Sequence, residues 1–175
     1  MKITLRPAKN EDLAIYTNLL QESYQDSYVS PEIGLTPACF AKEIFQTEDT
    51  QKYLATNLVN NELQQTWLAF NQDNLLIGSI TLEHQGNECE LRGFYVKPGF
   101  QGQGMGKKLW QQILPFSRGK DIILNIYAHN LRTIDIYKNW GFKVDKTKPA
   151  FFRHWPEWPD NVQAKCIYMR LIQKD

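Results

Sequence analysis

The feature of this sequence that most constrains its fold is a glycine-rich turn between a strand and a helix. The pattern of apolar residues predicts a strand over Glu88–Val96 and a helix over Gly104–Ser117. The turn between them carries glycines at alternate positions: Gly102, Gly104 and Gly106. Glycine allows close approach of a ligand to the backbone, and the first amides of a helix are unpaired at the positive end of its dipole. The turn therefore predicts a cradle for a diphosphate.

Two well-known phosphate-binding loops are excluded by the residues of this turn. A Walker A loop requires a glycine where Gln101 stands and a Ser or Thr where Lys108 stands. The dinucleotide pattern GxGxxG fails as well, because its third glycine position holds Lys107 or Leu109, depending on which glycine starts the pattern. The turn is therefore either a phosphate cradle of another kind or a glycine-rich turn without a ligand.

The rest of the chain predicts a mixed α/β fold of the α+β type. Short turns rich in Asn and Gly join three strand-like runs, which predicts an antiparallel meander. The expected order is β-α-α-β-β-β-α-β-α-β-β, with residues 46–61 unassigned. The strands with predicted bounds are Lys2–Leu5 (ended by Pro7), Thr66–Phe70, Leu75–Leu82, Glu88–Val96, Ile122–Ala128 and Val162–Leu171; the helices begin at the Asn10 cap, follow Pro37, and cover Gly104–Ser117 and Leu131–Trp140.

Length, charge and cysteine content argue against several classes of protein. The 175 residues suit a single domain over positions 1–175. A net charge of +1 without a long basic run argues against a nucleic-acid partner, and no stretch is apolar enough to span a membrane. Cys39, Cys89 and Cys166 lie far apart and form no CxxC pair, so neither a disulfide framework nor a metal site is expected. The reducing cytoplasm is the simplest compartment for such a chain.

The glycine-rich turn resembles the acetyl-CoA signature of the GNAT N-acetyltransferase superfamily. That signature reads Gln/Arg-x-x-Gly-x-Gly/Ala. This chain has Gln101, Gly104 and Gly106 at the corresponding places, directly after the run Tyr-Val-Lys-Pro-Gly-Phe.

A second segment supports the same resemblance. Residues 130–142 read Asn-Leu-Arg-Thr-Ile-Asp-Ile-Tyr-Lys-Asn-Trp-Gly-Phe and are similar to the family's Asn-x-x-Ala-x-x-x-Tyr-x-x-x-Gly-Phe. The departures are Thr133 in place of alanine and Trp140 in place of the usual leucine. Both segments lie in the family's order and spacing, and the resemblance covers residues 65–145 well.

The resemblance implies a fold and a reaction. The fold is a central, mostly antiparallel, splayed sheet of about seven strands flanked by about four helices. The reaction transfers an acetyl group from the co-substrate acetyl-CoA to a primary amine of a small molecule or a protein, by direct attack of the amine. No nucleophilic cysteine is needed for it. A polyamine, an amino acid, an amino sugar, an antibiotic and a protein amine all stay open as the acceptor.

The resemblance also implies which residues bind acetyl-CoA. Main-chain amides of the turn would hold the diphosphate, the end of the preceding strand would pair with the pantetheine, and two side chains would lie near the pantetheine amide and the sulfur. These residues are Tyr95, Val96 and Lys97 in the strand, Gln101, Gly102, Gln103, Gly104, Met105, Gly106 and Lys107 in the turn, and Asn130 and Tyr137 as the two side chains.

Catalysis needs a donor for the thioester oxygen and an acid for the leaving thiolate. The resemblance places the Val96 amide at the oxygen, where a fixed donor stabilises growing negative charge. It places the Tyr137 phenol near the sulfur, where it can donate a proton. Periodicity alone would favour a packing role for Tyr137, and the matching frame of residues 130–142 favours the catalytic one.

The general base is less well defined by the sequence. An amine is mostly protonated near pH 7, so a group must remove a proton directly or through water. Many relatives carry an acid where this chain has Arg92. Glu90 shares the face of Arg92 by strand alternation and is the predicted base, with Glu83 and His84 as alternatives. Arg92 itself either binds a carboxylate or phosphate of the acceptor or is an ordinary strand residue.

The acceptor site is expected between the first helices and an aromatic loop. The loop Phe151–Pro159 carries Trp155, Trp158 and Glu157 and is followed by Asp160, a combination that suits a cationic amine. The alternative is a loop folded onto the core or a homodimer contact. The opposite wall is expected to hold Tyr24, Asp26 and Tyr28. Two rival functions are a CoA-binding sensor without turnover and a purely structural domain.

Overall fold

The computed structural model describes residues 2–173, which form one eight-stranded sheet with five α-helices. The strands are β1 (Thr4–Pro7), β2 (Gln64–Phe70), β3 (Leu76–Gln85), β4 (Glu88–Val96), β5 (Ile122–Tyr127), β6 (Lys143–Val144), β7 (Phe151–Arg153) and β8 (Ala164–Leu171). The helices are α1 (Leu13–Tyr28), α2 (Lys42–Phe45), α3 (Glu48–Thr56), α4 (Met105–Ile113) and α5 (Leu131–Asn139). Short 3₁₀ turns cover Asn10–Asp12, Pro31–Ile33, Pro37–Phe40 and Leu114–Ser117.

The strand order is β1-β2-β3-β4-β5-β8-β6, with β7 also paired to β8. Every pair is antiparallel except β4–β5, so the predicted mixed, mostly antiparallel sheet is confirmed. The predicted meander is β2-β3-β4. Its first turn is fixed by Asn71, whose side-chain oxygen accepts from the amides of Asp73 at 3.0 Å and Leu75 at 2.9 Å.

Helices cover both faces of the sheet and enclose two apolar cores. Helices α1, α2 and α3 pack on one face around Tyr16, Phe40 and Phe45, which are almost completely buried. Helices α4 and α5 pack on the other face around Leu109 and Phe142. Each fully buried side chain of this size contributes about 1.5–3 kcal/mol, so both cores stabilise the sheet between them.

Helix α4 is held against the sheet by one apolar stripe and one glycine. Met105, Leu109 and Ile113 follow one another at four-residue spacing and are buried. Gly78 on β3 lies beneath the helix, and a Cβ there would meet Leu109 Cδ1 at 2.9 Å. The absence of a side chain at Gly78 therefore lets α4, and with it the glycine-rich turn, sit close to the sheet.

Strands β4 and β5 pair at one end and separate at the other. Their parallel pairing is limited to Cys89 with Ile122 and Glu90 with Ile123. Further along, β4 contains a bulge at Gly93, which has a φ of +56°. A bulge bends and twists its strand, so the remainder of β4 diverges from β5 and leaves a gap in the sheet.

Charged residues tie the closed end of this gap together. Arg170 on β8 binds Glu88 on β4 at 2.8 Å, Asp121 before β5 at 3.4 Å and Asp145 after β6 at 2.8 Å. Lys148 adds a second contact to Glu88 at 2.7 Å. The cluster thus joins several chain segments next to the only rungs that β4 and β5 share among the described residues.

The structure changes several predicted boundaries. The first strand is Thr4–Pro7 rather than Lys2–Leu5. Pro7 can end it because β1 is an edge strand and needs no donor on its outer side. The predicted helix Gly104–Ser117 is α4 followed by a 3₁₀ turn, since Pro115 cannot continue α-helical hydrogen bonding.

The region after Pro37 also differs from the prediction. Instead of one helix, a 3₁₀ turn, α2 and α3 follow one another, and α3 lies in the segment that the sequence left unassigned. Helix α3 begins after Thr47, whose side-chain oxygen accepts from the Thr50 amide. Leu54 is its buried residue, so the apolar stripe of α3 is too narrow for periodicity to detect.

Candidate active site

Two cavities meet at the gap between β4 and β5. The wide cavity, of about 720 Å³, lies between α1, α3, the start of β4 and the loop after β7. The loop cavity, of about 510 Å³, lies between the glycine-rich turn, the end of α1 and the start of α5. Residues that line both of them are Ser27, Phe94, Tyr95, Asn130, Thr133 and Tyr137. A molecule in one cavity therefore reaches a molecule in the other at this shared wall.

The glycine-rich turn has the shape of a backbone cradle. Gly102 and Gly104 have φ values of +74° and +77°, which side-chain-bearing residues rarely adopt. A Cβ at either position would meet no atom within 4 Å, so the space beside both is open. Gly104 caps α4, whose first amides point toward this space without intrahelical partners. Gly106 packs instead against Phe94, where a Cβ would lie 3.4 Å from the ring.

The other turn residues have different surroundings. Gln101 donates from Nε2 to the Asp26 carboxylate at 3.1 Å and to the Val96 carbonyl at 3.3 Å. Gln103 donates to the Gly99 carbonyl at 3.2 Å. Side chains at two further predicted positions contribute little to the cradle: that of Met105 is buried in the core and that of Lys107 points into solvent. At these positions only the main chain faces the turn's ligand side.

The end of β4 presents one main-chain amide to the gap. The Lys97 N–H donates to the Ile77 carbonyl at 2.9 Å, and the Lys97 carbonyl accepts from Phe100 at 3.0 Å. Alternate residues of an antiparallel strand bond the same neighbour, so Tyr95 also bonds β3 and Val96 points its N–H away from β3, into the gap. Of the three residues predicted to pair with a ligand, 95–97, only Val96 therefore has a main-chain N–H directed into the gap.

Tyr137 and Asn130 lie at the shared wall. Tyr137 is almost completely buried and packs against Phe94 and Phe142. Burial raises its pKa well above the usual value for tyrosine, so its hydroxyl keeps its proton at neutral pH. Asn130 caps α5, accepting from the Thr133 amide at 3.3 Å with its side-chain oxygen. Its side-chain NH₂ is left to donate elsewhere.

Among the three predicted bases, Glu90 is the one that lines the wide cavity. It accepts hydrogen bonds from Gln85 and from Asn125 Nδ2, the latter at 3.1 Å. Glu83 instead forms an ion pair with Arg92 at 3.1 Å. His84 faces the other side of the sheet, where its Nε2 donates to the Phe116 carbonyl at 2.8 Å. The structure therefore brings Glu90, and neither alternative, to the cavity.

Arg92 also lines the wide cavity, but its guanidinium is already engaged. Besides the ion pair with Glu83, its Nη2 donates to Asn57 at 3.2 Å and to Gln64 at 3.0 Å. Because its guanidinium already binds Glu83, Asn57 and Gln64, Arg92 fits the role of a structural residue in the cavity wall better than that of a ligand for an anionic group of the acceptor.

The aromatic residues expected around the acceptor site divide into two groups. Tyr24, Tyr28 and Trp155 line the wide cavity, and the Tyr95 hydroxyl donates to Tyr24 at 3.1 Å. Burial raises the pKa of all three tyrosines of this cluster well above normal, so they stay neutral. Trp158 stacks on Trp155 but is buried in the core.

Three further predictions about the walls need correction. Trp158 does not line the cavity, because its ring is buried in the core, where its indole nitrogen donates to the Cys39 carbonyl at 3.0 Å. Asp26 lines the loop cavity and not the wide one, and Asp160 lines neither. Glu157 does lie at the rim of the wide cavity.

Sequence reasoning missed two polar residues of the wide cavity, Asn125 and Arg153. Asn125 lies on β5 between Glu90 and Arg153, donating to the first and accepting from the second at 2.8 Å. An Asn within the apolar run Ile122–Tyr127 was the available signal for the first. An Arg among aromatic residues before the last strand was the signal for the second.

The described part of the chain contains neither a metal-binding cluster nor a membrane-spanning helix. No group of three or more His, Cys, Asp or Glu residues there is arranged to hold a metal ion. Residues 2–173 also contain no helix of the length and apolarity that a membrane crossing requires.

Comparison with known proteins links these features to one family. The family model described as acetyltransferase (GNAT) family matches residues 18–142. The spermidine N(1)-acetyltransferase of Thermoplasma acidophilum is 27% identical over 162 residues, which are 87% of this chain and 95% of that protein. The spermine/spermidine N(1)-acetyltransferase of Bacillus subtilis is 24% identical over 151 residues, 83% of this chain and 90% of that protein.

Solved structures share the fold over almost the whole chain. The PaiA N-acetyltransferase of Thermoplasma acidophilum, crystallised with coenzyme A, has a TM-score of 0.72 and 23% identity, covering 99% of this chain and 100% of that one. The ribosomal-protein-S18-alanine N-acetyltransferase of Escherichia coli has a TM-score of 0.69 and 18% identity, covering 99% and 96%. At these identities the structures establish a common fold, with a splayed sheet at its centre.

Proposed function

This chain belongs to the acetyltransferase (GNAT) family, and we propose from that premise that the two cavities hold acetyl-CoA and a small-molecule primary amine. The chain is an N-acetyltransferase that uses acetyl-CoA. The observation that carries the proposed assignment of the cavities is their shared wall, where Tyr137 and Asn130 face both. The loop cavity takes acetyl-CoA and the wide cavity takes the amine.

The loop cavity suits acetyl-CoA in its residues. Two glycines in a left-handed conformation leave open space beside the unpaired amides at the start of α4, which fits a diphosphate. The Val96 N–H and the Asn130 side-chain amide are placed to bond an extended chain of amides such as pantetheine. Acetyl-CoA supplies the activated acetyl group, and residues of this chain stabilise charge and transfer protons during the reaction.

Two residues act on the thioester end. The Val96 amide faces the gap and stabilises negative charge on the thioester oxygen as the amine attacks. Tyr137 donates its phenolic proton to the sulfur of the leaving thiolate. Burial raises the pKa of Tyr137, so the phenol is still protonated when the thiolate leaves.

Glu90 acts on the amine. It lines the wide cavity, and hydrogen bonds from Gln85 and Asn125 hold its carboxylate in position. It accepts a proton from the acceptor ammonium, directly or through water, and leaves the free amine that attacks.

A panel of amines tests this function. Acetyl-CoA consumption is measured with spermidine, amino acids, amino sugars and a peptide with a free amino terminus. Spermidine is included because two relatives are named for acting on polyamines. We expect consumption with at least one small-molecule amine. If acetyl-CoA stabilises the protein but no amine consumes it, the sensor interpretation replaces this one.

A further inference from the structure

Arg153 is a half-buried cation in the wall of the wide cavity that has no carboxylate partner among the described residues. It is the last residue of β7, and its Nη2 donates to the side-chain oxygen of Asn125 at 2.8 Å. Its guanidinium carbon lies 5.4 Å from the centre of the Tyr127 ring and 5.5 Å from that of Phe151. These contacts hold the side chain in place, but they do not neutralise its charge.

Other partly buried arginines of this chain are neutralised. Arg6 binds Asp12 at 2.6 Å, Arg92 binds Glu83 and Arg170 binds three carboxylates. Withdrawing a cation from water without a counter-charge is costly, and a buried charge is normally paired. Arg153 departs from the pattern of its own chain in the cavity where the acceptor amine is expected.

The surroundings of Arg153 leave further donors available to a ligand. Its planar guanidinium is a fork that matches the two oxygens of a carboxylate or phosphate. The adjacent Tyr127 hydroxyl is buried and makes no hydrogen bond with the described residues. Both residues line the wide cavity and neither lines the loop cavity, so this site faces the acceptor and not acetyl-CoA.

We infer that Arg153 forms an anion-binding subsite, and that the physiological acceptor is a primary amine carrying a carboxylate or phosphate. This inference rests on the proposed function of the wide cavity. Asn125 gives the subsite its geometry, because its amide contacts Glu90 at one end and Arg153 at the other. The amine end of the acceptor thus lies at Glu90 and its anionic end at Arg153, and between the two stand the Asn125 amide and its hydrogen bonds of 3.1 and 2.8 Å.

The orientation of Asn125 follows from the same contacts. Arginine can only donate, so it fixes the oxygen of the Asn125 amide toward itself. The NH₂ group must then face Glu90, where it donates to the carboxylate. Arg153 therefore also positions the predicted base, and a linear polycation such as spermidine would place a positive charge against it.

Matched acceptors test the subsite. The compounds are 4-aminobutanoate, 3-aminopropylphosphonate, butylamine and 1,4-diaminobutane, which present the same primary amine with an anionic, neutral or cationic end. We expect kcat/KM for one of the two anionic compounds to exceed that for butylamine by roughly 10- to 100-fold, the usual range for one charge-assisted contact. Which anionic compound is preferred distinguishes carboxylate from phosphate recognition.

Variants assign the preference to Arg153. Arg153→Met should bring the anionic-to-neutral ratio of kcat/KM close to one, and Arg153→Lys should keep part of it, since lysine retains the charge without the fork. Arg118→Met is the matched control, because Arg118 also stacks on an aromatic ring but lies outside both cavities. It should leave the ratio unchanged. Melting temperatures verify that each variant is folded.

Two results would overturn the subsite. One is a wild-type enzyme that prefers 1,4-diaminobutane or shows no preference; the other is an unchanged ratio in both Arg153 variants. Failure of the proposed function is a separate outcome, in which no amine is acetylated although acetyl-CoA binds. In that case the melting temperature of the CoA complex is measured with 4-aminobutanoate, 3-aminopropylphosphonate and butylamine, and the subsite still requires a shift with an anionic compound that Arg153→Met abolishes.

Discussion

At the scale of single residues, neighbouring groups fix the protonation of Tyr137 and the position of Glu90. Tyr137 lies among Phe94, Trp140 and Phe142, and burial raises the pKa of its phenol well above the usual value. Burial disfavours its phenolate, so the phenol remains a proton donor. Glu90, by contrast, accepts hydrogen bonds from the side-chain amides of Gln85 and Asn125, which hold its carboxylate in position. The proposed acid therefore lies in the shared wall, and the proposed base lines the wide cavity.

Replacing Tyr137 with phenylalanine isolates the proton donor. Tyr137→Phe keeps the ring that packs on Phe142 and removes only the hydroxyl. We expect kcat to fall by about 10²-fold or more while acetyl-CoA affinity changes little, because general acid catalysis contributes roughly 10²–10⁴-fold. Tyr168→Phe, outside both cavities, is the control. Normal turnover of Tyr137→Phe, with chemistry shown to limit the rate, would refute the role.

At this scale the sequence predicts residues that belong to a recognisable pattern and misses those that do not. Asn130 and Tyr137, which line both cavities, could be predicted as candidates because they occupy fixed places in one segment. Asn125 and Arg153 act through a contact between β5 and the end of β7, which no spacing along the chain reveals. Strand alternation would place Arg92 and Tyr95 on opposite faces of β4. The bulge at Gly93 puts them on the same face, so alternation does not predict the side-chain directions beyond Gly93.

Among the structural elements, the start of α4 matters most for acetyl-CoA. Gly104→Val places a branched side chain at a φ of +77° beside the open space of the cradle. We expect it to abolish the rise in melting temperature that acetyl-CoA gives by binding the folded state. Gly119→Val is a matched control, because Gly119 has a φ of +79°, is equally open and lies in neither cavity. It should lower the melting temperature but keep the shift.

An unchanged acetyl-CoA shift in a folded Gly104→Val protein would contradict the cradle. Loss of the shift in both glycine variants would mean that strain, rather than obstruction of the ligand, explains the result.

The loop between β7 and β8 has two tryptophans with separate roles. Trp155 lines the wide cavity, so Trp155→Ala should raise the KM for the amine several-fold and leave acetyl-CoA binding intact. Trp158 is 3% exposed, so Trp158→Ala should lower the free energy of unfolding by about 3–5 kcal/mol. Both KM values and denaturant unfolding are measured for each variant. Equal effects of the two substitutions on the amine KM would contradict the prediction that the two tryptophans have separate roles.

Whole elements were predicted where their local pattern was strong. The meander β2-β3-β4 follows from alternation and short turns, and its existence is confirmed. Helix α3 was missed because its stability depends on Leu54 packing into the core and on the Thr47 cap, while most of its surface is polar. The Thr47 cap and the acidic residues after it were the signals that periodicity overlooked.

The whole molecule is a sheet closed at one end of β4 and open at the other. Arg170 and its three carboxylates hold the closed end, beside the rungs that β4 shares with β5. The bulge at Gly93 and the divergence of the strands produce the open end, where both cavities meet. The sequence could not predict this cluster, because its members lie as far as 82 positions apart along the chain.

Arg170→Met tests whether the cluster stabilises the fold in a pH-dependent way. The hydrogen bond from Lys148 is the main reason that the pKa of Glu88 is lowered, and Arg170 adds to it. The hydrogen bonds from Thr147 and the contact with Arg170 lower the pKa of Asp145, and together they outweigh burial, which acts in the opposite direction. A carboxylate with a lowered pKa in the folded state contributes stability above its unfolded pKa of about 4, and that stability is lost as pH falls through the folded value.

At pH 7, Arg170→Met should therefore lower the free energy of unfolding by roughly 2 kcal/mol, since it leaves partly buried carboxylates without their shared cation. At pH 3 the carboxylates of the unfolded wild type are mostly protonated, so the difference between wild type and variant should shrink. Urea unfolding at both pH values measures it. Lys138→Met, which breaks the exposed pair with Asp135, is the control and should have little effect at either pH. A difference that is the same at pH 7 and pH 3 would show that Arg170 stabilises the closed end by packing and not by its charge.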